Sequence, residues 1–423
     1  MADTLTLIAR HFREKIVVVG AVLPDTSQEE VDESLDELAL LVDTAGADVV
    51  GRLTQRMGSP DPAYFIGRGK VEELRELSYA TDCDTVIFDD ELTPAQQRNL
   101  EKVLGRTAID RTALILDIFA QNAKSMEGKA QVELALLSYR LPRLRGKGGQ
   151  LSQQVGRIGT RGPGETKLEE DRRRIQDKIS RLKRQLETYS STRRVQASAR
   201  SRSRNKTASL VGYTNAGKSS LLNALAHSDV LVEDRLFATL DTRTRRVALP
   251  GGEAFLLSDT VGFIKKLPHQ LIESFRSTLE VVTESDFLIH VVDASASDPD
   301  SQIRAVREVL DEIGAGKLRE LLVFNKADKE IDREALEERY PGAIFVSALQ
   351  NLNIDGLRDA VAAFIRAGTK VLVLEIGYEY GDVLARLQVE GEVLSILSKE
   401  DSYEVTARLD TTSIAYFEDY IIG

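Results

Sequence analysis

The stretch that most constrains this chain is Thr207-Ala208-Ser209-Leu210-Val211 followed by Gly212-Tyr213-Thr214-Asn215-Ala216-Gly217-Lys218-Ser219. A short apolar run closing on G-x-x-x-x-G-K-S, with Leu221, Leu222 and Leu225 behind it, predicts a strand, a phosphate-cradling loop and a helix. Such a unit belongs to an α/β fold with a mostly parallel sheet. The glycines let backbone amides turn toward a β-phosphate. Lys218 is placed to reach the β- and γ-phosphates, and the Ser219 hydroxyl to coordinate magnesium. The helix that starts there offers its positive end to the same phosphates.

The residues downstream supply the other parts in order. Phe255-Leu256-Leu257-Ser258 reads as a buried strand leading into Asp259-Thr260-Val261-Gly262. Asp259 can hold the Mg2+ through water, and the Gly262 amide can approach a γ-phosphate and sense its loss. Two further strands, Leu288–Asp293 and Leu321–Phe324, come next, and the second runs into Asn325-Lys326-Ala327-Asp328. An aspartate at 328 accepts two hydrogen bonds from guanine N1 and the exocyclic amine, a pattern adenine cannot offer. Lys326 can cover the base with its aliphatic stem. After Ile344-Phe345-Val346, the backbone amides of Ser347-Ala348-Leu349 can contact the guanine oxygen. The ligand these features imply is GTP or GDP with Mg2+.

Several threonines between Asp234 and Thr244 compete to meet the magnesium and the γ-phosphate; Thr239 is the first choice and Thr242 the second. Ordering by γ-phosphate would make this loop a switch. Phe263 stands where many enzymes of this class carry a glutamine that orients water, and phenylalanine cannot do so. Slow unassisted hydrolysis follows, with the water positioned by a moving segment or a partner. Asn215 has two readings: it helps K+ take over the charge of an arginine finger, or it only shapes the loop. Arg235, Arg243 and Arg245 are near enough in sequence to assist. Lys218, Thr239, Gly262 and Asn215 are thus the candidates for catalysis, and Ser219, Thr239 and Asp259 for the metal.

At 423 residues the chain exceeds one ordinary core. Four segments are expected: an α/β domain over 1–140, a glycine- and arginine-rich loop with a long basic helix over 141–204, a nucleotide domain over 205–367, and a small α/β domain over 368–423. In the first, Ile16–Gly20 and Thr85–Phe88 read as strands. Ser27 reads as the cap of a helix carrying Leu35, Leu38 and Leu41, and Thr93 as the cap of a helix from Pro94 to about Leu104. A helix over Lys70–Tyr79 follows Gly67-Arg68-Gly69, a weak anion-binding turn. In the arm, seven glycines between 146 and 164 alternate with arginines, too polar to fold alone. Leu168, Ile175, Ile179, Leu182, Leu186 and Tyr189 then form a helical seam suited to an antiparallel pair with residues 125–141 or to self-association. Past Gly368, runs near 371–376, 383–389, 393–397 and 403–409 suggest short strands.

The net charge of −11 argues against a nucleic-acid partner until its distribution is read. From Arg140 to Lys206, Lys and Arg outnumber Asp and Glu 20 to 6, so attraction for phosphates is concentrated in one element while the acidic remainder suppresses indiscriminate binding. A plain solvated helix is the bland alternative. One cysteine, Cys83, four scattered histidines without zinc-ligand spacing and no membrane-length apolar run lead us to expect a cytoplasmic chain without membrane insertion.

Taken together, these segments closely resemble the HflX family of ribosome-associated GTPases. Phe237-Ala238-Thr239-Leu240-Asp241 and Asp259-Thr260-Val261-Gly262-Phe263-Ile264 resemble its switches. Ile66–Lys70, Phe88–Leu92, Asp110–Thr112, Gly128–Ala135 and Gly162–Glu169 resemble its upstream signatures, so the likeness spans nearly the whole chain. Thr242 departs from the pattern, which has proline there. The resemblance implies contact of the N-terminal domain and the basic arm (143–194) with 23S rRNA of the large, 50S, subunit, by a chain expected to be monomeric. It also implies ribosome-stimulated GTP hydrolysis, and a role in splitting stalled or stressed ribosomes or in subunit biogenesis. ATP binding by the N-terminal domain is suggested for some relatives. An RNA-binding scaffold with a merely regulatory nucleotide is the competing class.

Overall fold

Four consecutive residues, Ile16-Val17-Val18-Val19, are buried on both faces of a strand, as expected when helices cover a parallel sheet on each side. The computed structural model describes residues 13–144, 163–201, 206–226, 236–237, 239, 242–250, 254–266, 275, 279–410 and 413–422. For 163–168, 192–201 and 410 only the backbone is described. The glycine- and arginine-rich loop, Ala238, Leu240, Asp241, Arg235 and three histidines (11, 227 and 269) lie outside the described residues.

By contacts the chain divides into two units. The first holds 1–189 together with 233–241 and 263–277; the second holds 190–232, 242–262 and 278–423. In the first, β1 (Lys15–Val22), β2 (Asp48–Arg56), β3 (Thr85–Phe88) and β4 (Thr107–Asp110) form a parallel sheet of order β2-β1-β3-β4. The crossovers are α1 (Gln28–Thr44), α2 (Arg68–Ala80) and α3 (Pro94–Leu104). Ser27 and Thr93 cap α1 and α3 as read, each in a reciprocal capping box, with Glu30 and Gln96 respectively. The helices α4 (Arg111–Asn122), α5 (Met126–Arg143) and α6 (Pro163–Ser201), the last as far as Tyr189, complete the unit. Ala130 and Leu134 of α5 enclose Leu182 of α6, with Leu137, Ile179 and Leu186 around them. The seam in α6 therefore pairs with α5 within the chain.

Segments that the sequence places inside 205–367 also belong to this first unit. Phe119 of α4 stands edge-on to both Phe237 (4.7 Å) and Phe275 (4.8 Å). Asn122 Nδ2 donates to the Phe237 carbonyl at 2.9 Å.

In the second unit, β5 (Lys206–Gly212), β6 (Arg243–Ala248), β7 (Ala254–Asp259), β8 (Phe287–Asp293), β9 (Arg319–Asn325) and β10 (Ile344–Phe345) make a sheet of order β10-β9-β8-β5-β7-β6. All pairings are parallel except the edge pair β6–β7. Leu221, Leu222 and Leu225 of α7 (Lys218–Ala226) pack with Leu210, Leu257 and Val361 in its core. The same unit ends in an antiparallel sheet β11 (Thr369–Gly377), β13 (Ser402–Asp410), β12 (Gly391–Ser398) in that order. The expected strand near 383–389 is instead the helix Gly381–Glu390. Its buried residues, Val383 and Leu387, lie four apart, a helical spacing that a short apolar run conceals.

Candidate functional site

An open α/β sheet takes its ligands at the carboxyl ends of its strands. There β5 ends in Gly212, β7 in Asp259, β8 in Asp293 and β9 in Asn325. The loop after β5 is shaped by Gly217, at φ +90°, where an added Cβ would lie 2.1 Å from Asn325 Nδ2. Asn215 stands exposed at φ 59°, a conformation asparagine tolerates well, so loop shaping is one use it has. Thr214 is buried, and its hydroxyl has no partner among the described residues.

Lys218, at the start of α7, is buried and donates to the carbonyls of Gly212 (3.0 Å) and Tyr213 (2.8 Å). Burial pushes its pKa down to about 8, with Asp259 pulling the other way. Gly262 lies against this lysine: a Cβ there would meet Thr214 Cα at 2.8 Å and Lys218 Nζ at 3.0 Å. Position 262 can therefore be only glycine without a shift of the loop, and its backbone is within reach of whatever Lys218 holds.

Ser219 Oγ donates to Asp259 Oδ2 at 2.6 Å, which brings the two expected metal-holding groups of this unit together. No cluster of three or more His, Cys, Asp or Glu suited to a metal occurs among the described residues. That donor set fits magnesium, which keeps several waters and takes one or two carboxylates plus phosphate oxygens. Thr239 is half-buried and belongs to the first unit. Thr260 is fully buried and its hydroxyl donates to the Leu210 carbonyl at 2.5 Å, tying the turn after β7 to β5.

Asn325 ties two loops together: Nδ2 donates to the Ala216 carbonyl (2.9 Å) and Oδ1 accepts from the Ala348 amide (3.0 Å). The Ala348 amide is thus bonded to Asn325, while Leu349 is 88% exposed. Lys326, at φ 63°, anchors its ammonium on Asp293 at 2.7 Å. Burial would raise the Asp293 pKa, but Lys326 and Ser295 hold it below the ordinary range. Sequence reasoning passed over Asp293 as a site residue; its place at the end of a strand beside that of Asn325 was the available signal. Asp328 is half-buried and accepts a long bond, 3.5 Å, from Gln350.

A mostly parallel sheet carrying G-x-x-x-x-G-K-S, D-x-x-G and N-K-x-D at the ends of β5, β7 and β9 defines a P-loop GTPase, a GTP-binding and GTP-hydrolysing enzyme. Family models agree along the chain: GTP-binding GTPase N-terminal over 32–120, GTP-binding GTPase middle region over 122–200 and 50S ribosome-binding GTPase over 207–326. GTPase HflX of Caldanaerobacter subterraneus subsp. tengcongensis is 43% identical, over 100% of this chain and 97% of its own length. GTPase HflX of Alkalihalophilus pseudofirmus is 50% identical over 75% of each chain, and that of Lacrimispora saccharolytica 42% identical over 97% of each. The chain belongs to the HflX family of GTPases.

Proposed function

We propose that this GTPase works on the large ribosomal subunit, turning over GTP when the ribosome supplies what Phe263 cannot. The supporting observation is the joining of guanine motifs to α6, a helix carrying exposed Arg173, Arg174, Arg181, Lys183 and Arg184. In this reading the loop 212–219 holds the phosphates, 325–328 and 347–349 hold the guanine, and the basic arm over 143–194 faces 23S rRNA in the cytoplasm. Ser219 and Asp259 would hold a magnesium ion, which would neutralise charge developing on the β- and γ-phosphate oxygens. The 50S ribosome-binding description of the family matching 207–326 favours the same partner. Among the described residues no helix is long and apolar enough to cross a membrane.

Multiple-turnover hydrolysis with and without purified large subunits tests this directly. Stimulation that disappears on trimming 143–164 supports it; a near-zero rate unchanged by ribosomes favours an RNA-binding scaffold. Splitting is part of the proposal, with biogenesis as the alternative. Sedimentation of 70S particles decides between them: particles left intact by the GTP-bound protein sink the splitting role.

A further inference from the structure

Backbone amides and a lysine are what a loop of this kind turns toward phosphates; this one also carries a threonine near its middle. Thr214 is 7% exposed, and among the described residues its hydroxyl is the one buried hydroxyl without a hydrogen-bond partner. Other hydroxyls at these strand ends are taken: Thr260 donates to the Leu210 carbonyl, Ser219 to Asp259 and Ser295 to Asp293. An enclosed hydroxyl without a partner costs stability, so its presence in a folded chain calls for a reason.

The loop fixes where that hydroxyl can be. Gly212 is pressed against β8, so that an added Cβ would lie 2.1 Å from the Val291 carbonyl oxygen. At the far end, the Ala216 carbonyl accepts from Asn325 and the Ala216 amide donates to the Tyr213 carbonyl at 3.3 Å. Thr214 stands between these ties with Gly262 against it. A Cβ at 262 would meet Thr214 Cα and Thr214 Cγ2, each at 2.8 Å, and Lys218 Nζ at 3.0 Å. The threonine side chain, the lysine ammonium and the Gly262 backbone thus converge on one spot, all within the second unit. Lys218 and Gly262 carry the two groups that meet a γ-phosphate in enzymes of this class. The Thr214 methyl faces Gly262 and the hydroxyl shares its Cβ, so a turn about χ1 from one staggered well to the next exchanges the two without moving the loop.

We propose that Thr214 binds the γ-phosphate through its side chain: the hydroxyl donates to a γ-phosphate oxygen between Lys218 Nζ and the Gly262 amide. The inference rests on the GTPase reading and adds to the amide cradle a side-chain contact that only the triphosphate can complete. GDP has no γ-phosphate, so the contact favours the triphosphate state. It also holds the group that water attacks, in a site where Phe263 cannot hydrogen-bond.

The test titrates the full chain with GDP and with the β,γ-imido analogue of GTP, in the parent, Thr214→Val and Thr214→Ser. Valine keeps the methyl and the shape and removes the hydroxyl; serine keeps the hydroxyl and removes the methyl. Thr214→Val is expected to weaken the analogue about 10-fold more than GDP, the lower end for one hydrogen bond to a charged group, and Thr214→Ser to keep the parent's preference. Without nucleotide, Thr214→Val should unfold at a urea concentration no lower than the parent's, because an apolar group of the same shape replaces an unpartnered hydroxyl. A threonine that only packs against Gly262 reverses the order: serine loses affinity and valine does not. That order overturns the proposal, as does an equal loss of both ligands in Thr214→Val or earlier unfolding of its nucleotide-free form. Single-turnover hydrolysis that slows in Thr214→Val while analogue affinity is unmoved assigns the hydroxyl to the attacking water and overturns the phosphate contact. A parent chain that binds neither nucleotide sinks the GTPase reading itself, which distinguishes the two failures.

Discussion

Lys218 keeps its ammonium buried against two carbonyls, and burial holds its pKa near 8. A triphosphate beside it would restore the charge, so binding above that pH must take up a proton. The expected outcome is GTP affinity that is flat to about pH 8 and then falls toward about tenfold per pH unit, the limit for one linked proton. Calorimetry in buffers of different ionisation heat would show the uptake, and Lys218→Met would abolish both slope and tight binding. A flat profile to pH 9 in the parent would contradict the assignment. At the other end of the ligand, Asp328 is expected to accept from guanine N1–H and the amine. Asp328→Asn replaces one acceptor oxygen with a donor, which suits a base carrying a carbonyl in place of the amine. GTP affinity should fall by about 100-fold or more while xanthosine triphosphate gains, measured by competition; sites built to pair a polar edge discriminate on this scale or above.

At the level of elements, Arg111 at the start of α4 is the clearest structural commitment. Its side chain is 2% exposed and meets Asp89, Glu37 and Ser34. Removing one partner of a buried pair leaves the other uncompensated, so Arg111→Met should destabilise the chain by about 3–5 kcal/mol in urea unfolding. Asp89 is held below the ordinary carboxylate range despite its burial, by Arg111 and Lys266. Its contribution to stability is therefore present above about pH 4 and lost as pH falls through its lower folded value. The individual elements here were legible because each has a local signal: Ser27 and Thr93 as caps, Ile16–Val19 as a run buried on both faces, Ile179-Leu182-Leu186 as a seam. The helix Gly381–Glu390 was misread because a short apolar run carries no period of its own. The ion pairs of Lys266 with Asp89 and Asp90 were missed for a different reason. The left-handed backbone of Lys266 and its carboxylate partners, 176 and 177 positions away, are set by packing, which residue type and spacing do not encode. The nucleotide motifs, by contrast, are contiguous stretches whose chemistry is local, and Asn325, Asp259 and Ser219 stand where those motifs put them.

Across the whole molecule the charge is divided. The chain totals −11, yet Lys and Arg outnumber Asp and Glu 20 to 6 between Arg140 and Lys206. An acidic body repels a polyanion and a basic stretch attracts it, so affinity for the proposed rRNA partner should be carried by a few phosphate contacts from one element. Each such contact releases condensed counterions, which makes the logarithm of the binding constant fall linearly with the logarithm of salt concentration. Arg173, Arg181 and Arg184 are exposed on α6, away from Leu182, which packs on α5. Replacing all three by Gln leaves that helix pair intact and removes three candidate contacts. For the large subunit the salt slope should then shrink by about 2–3, the counterion equivalent of three phosphates. Guanine-nucleotide affinity measured without ribosomes should not move, because none of the three belongs to the strand ends that carry the nucleotide motifs. Filter binding at four salt concentrations gives the slope. If the slope is unchanged while affinity drops uniformly, the arm acts by shape or by packing, and the proposed rRNA contacts of the arm are overturned.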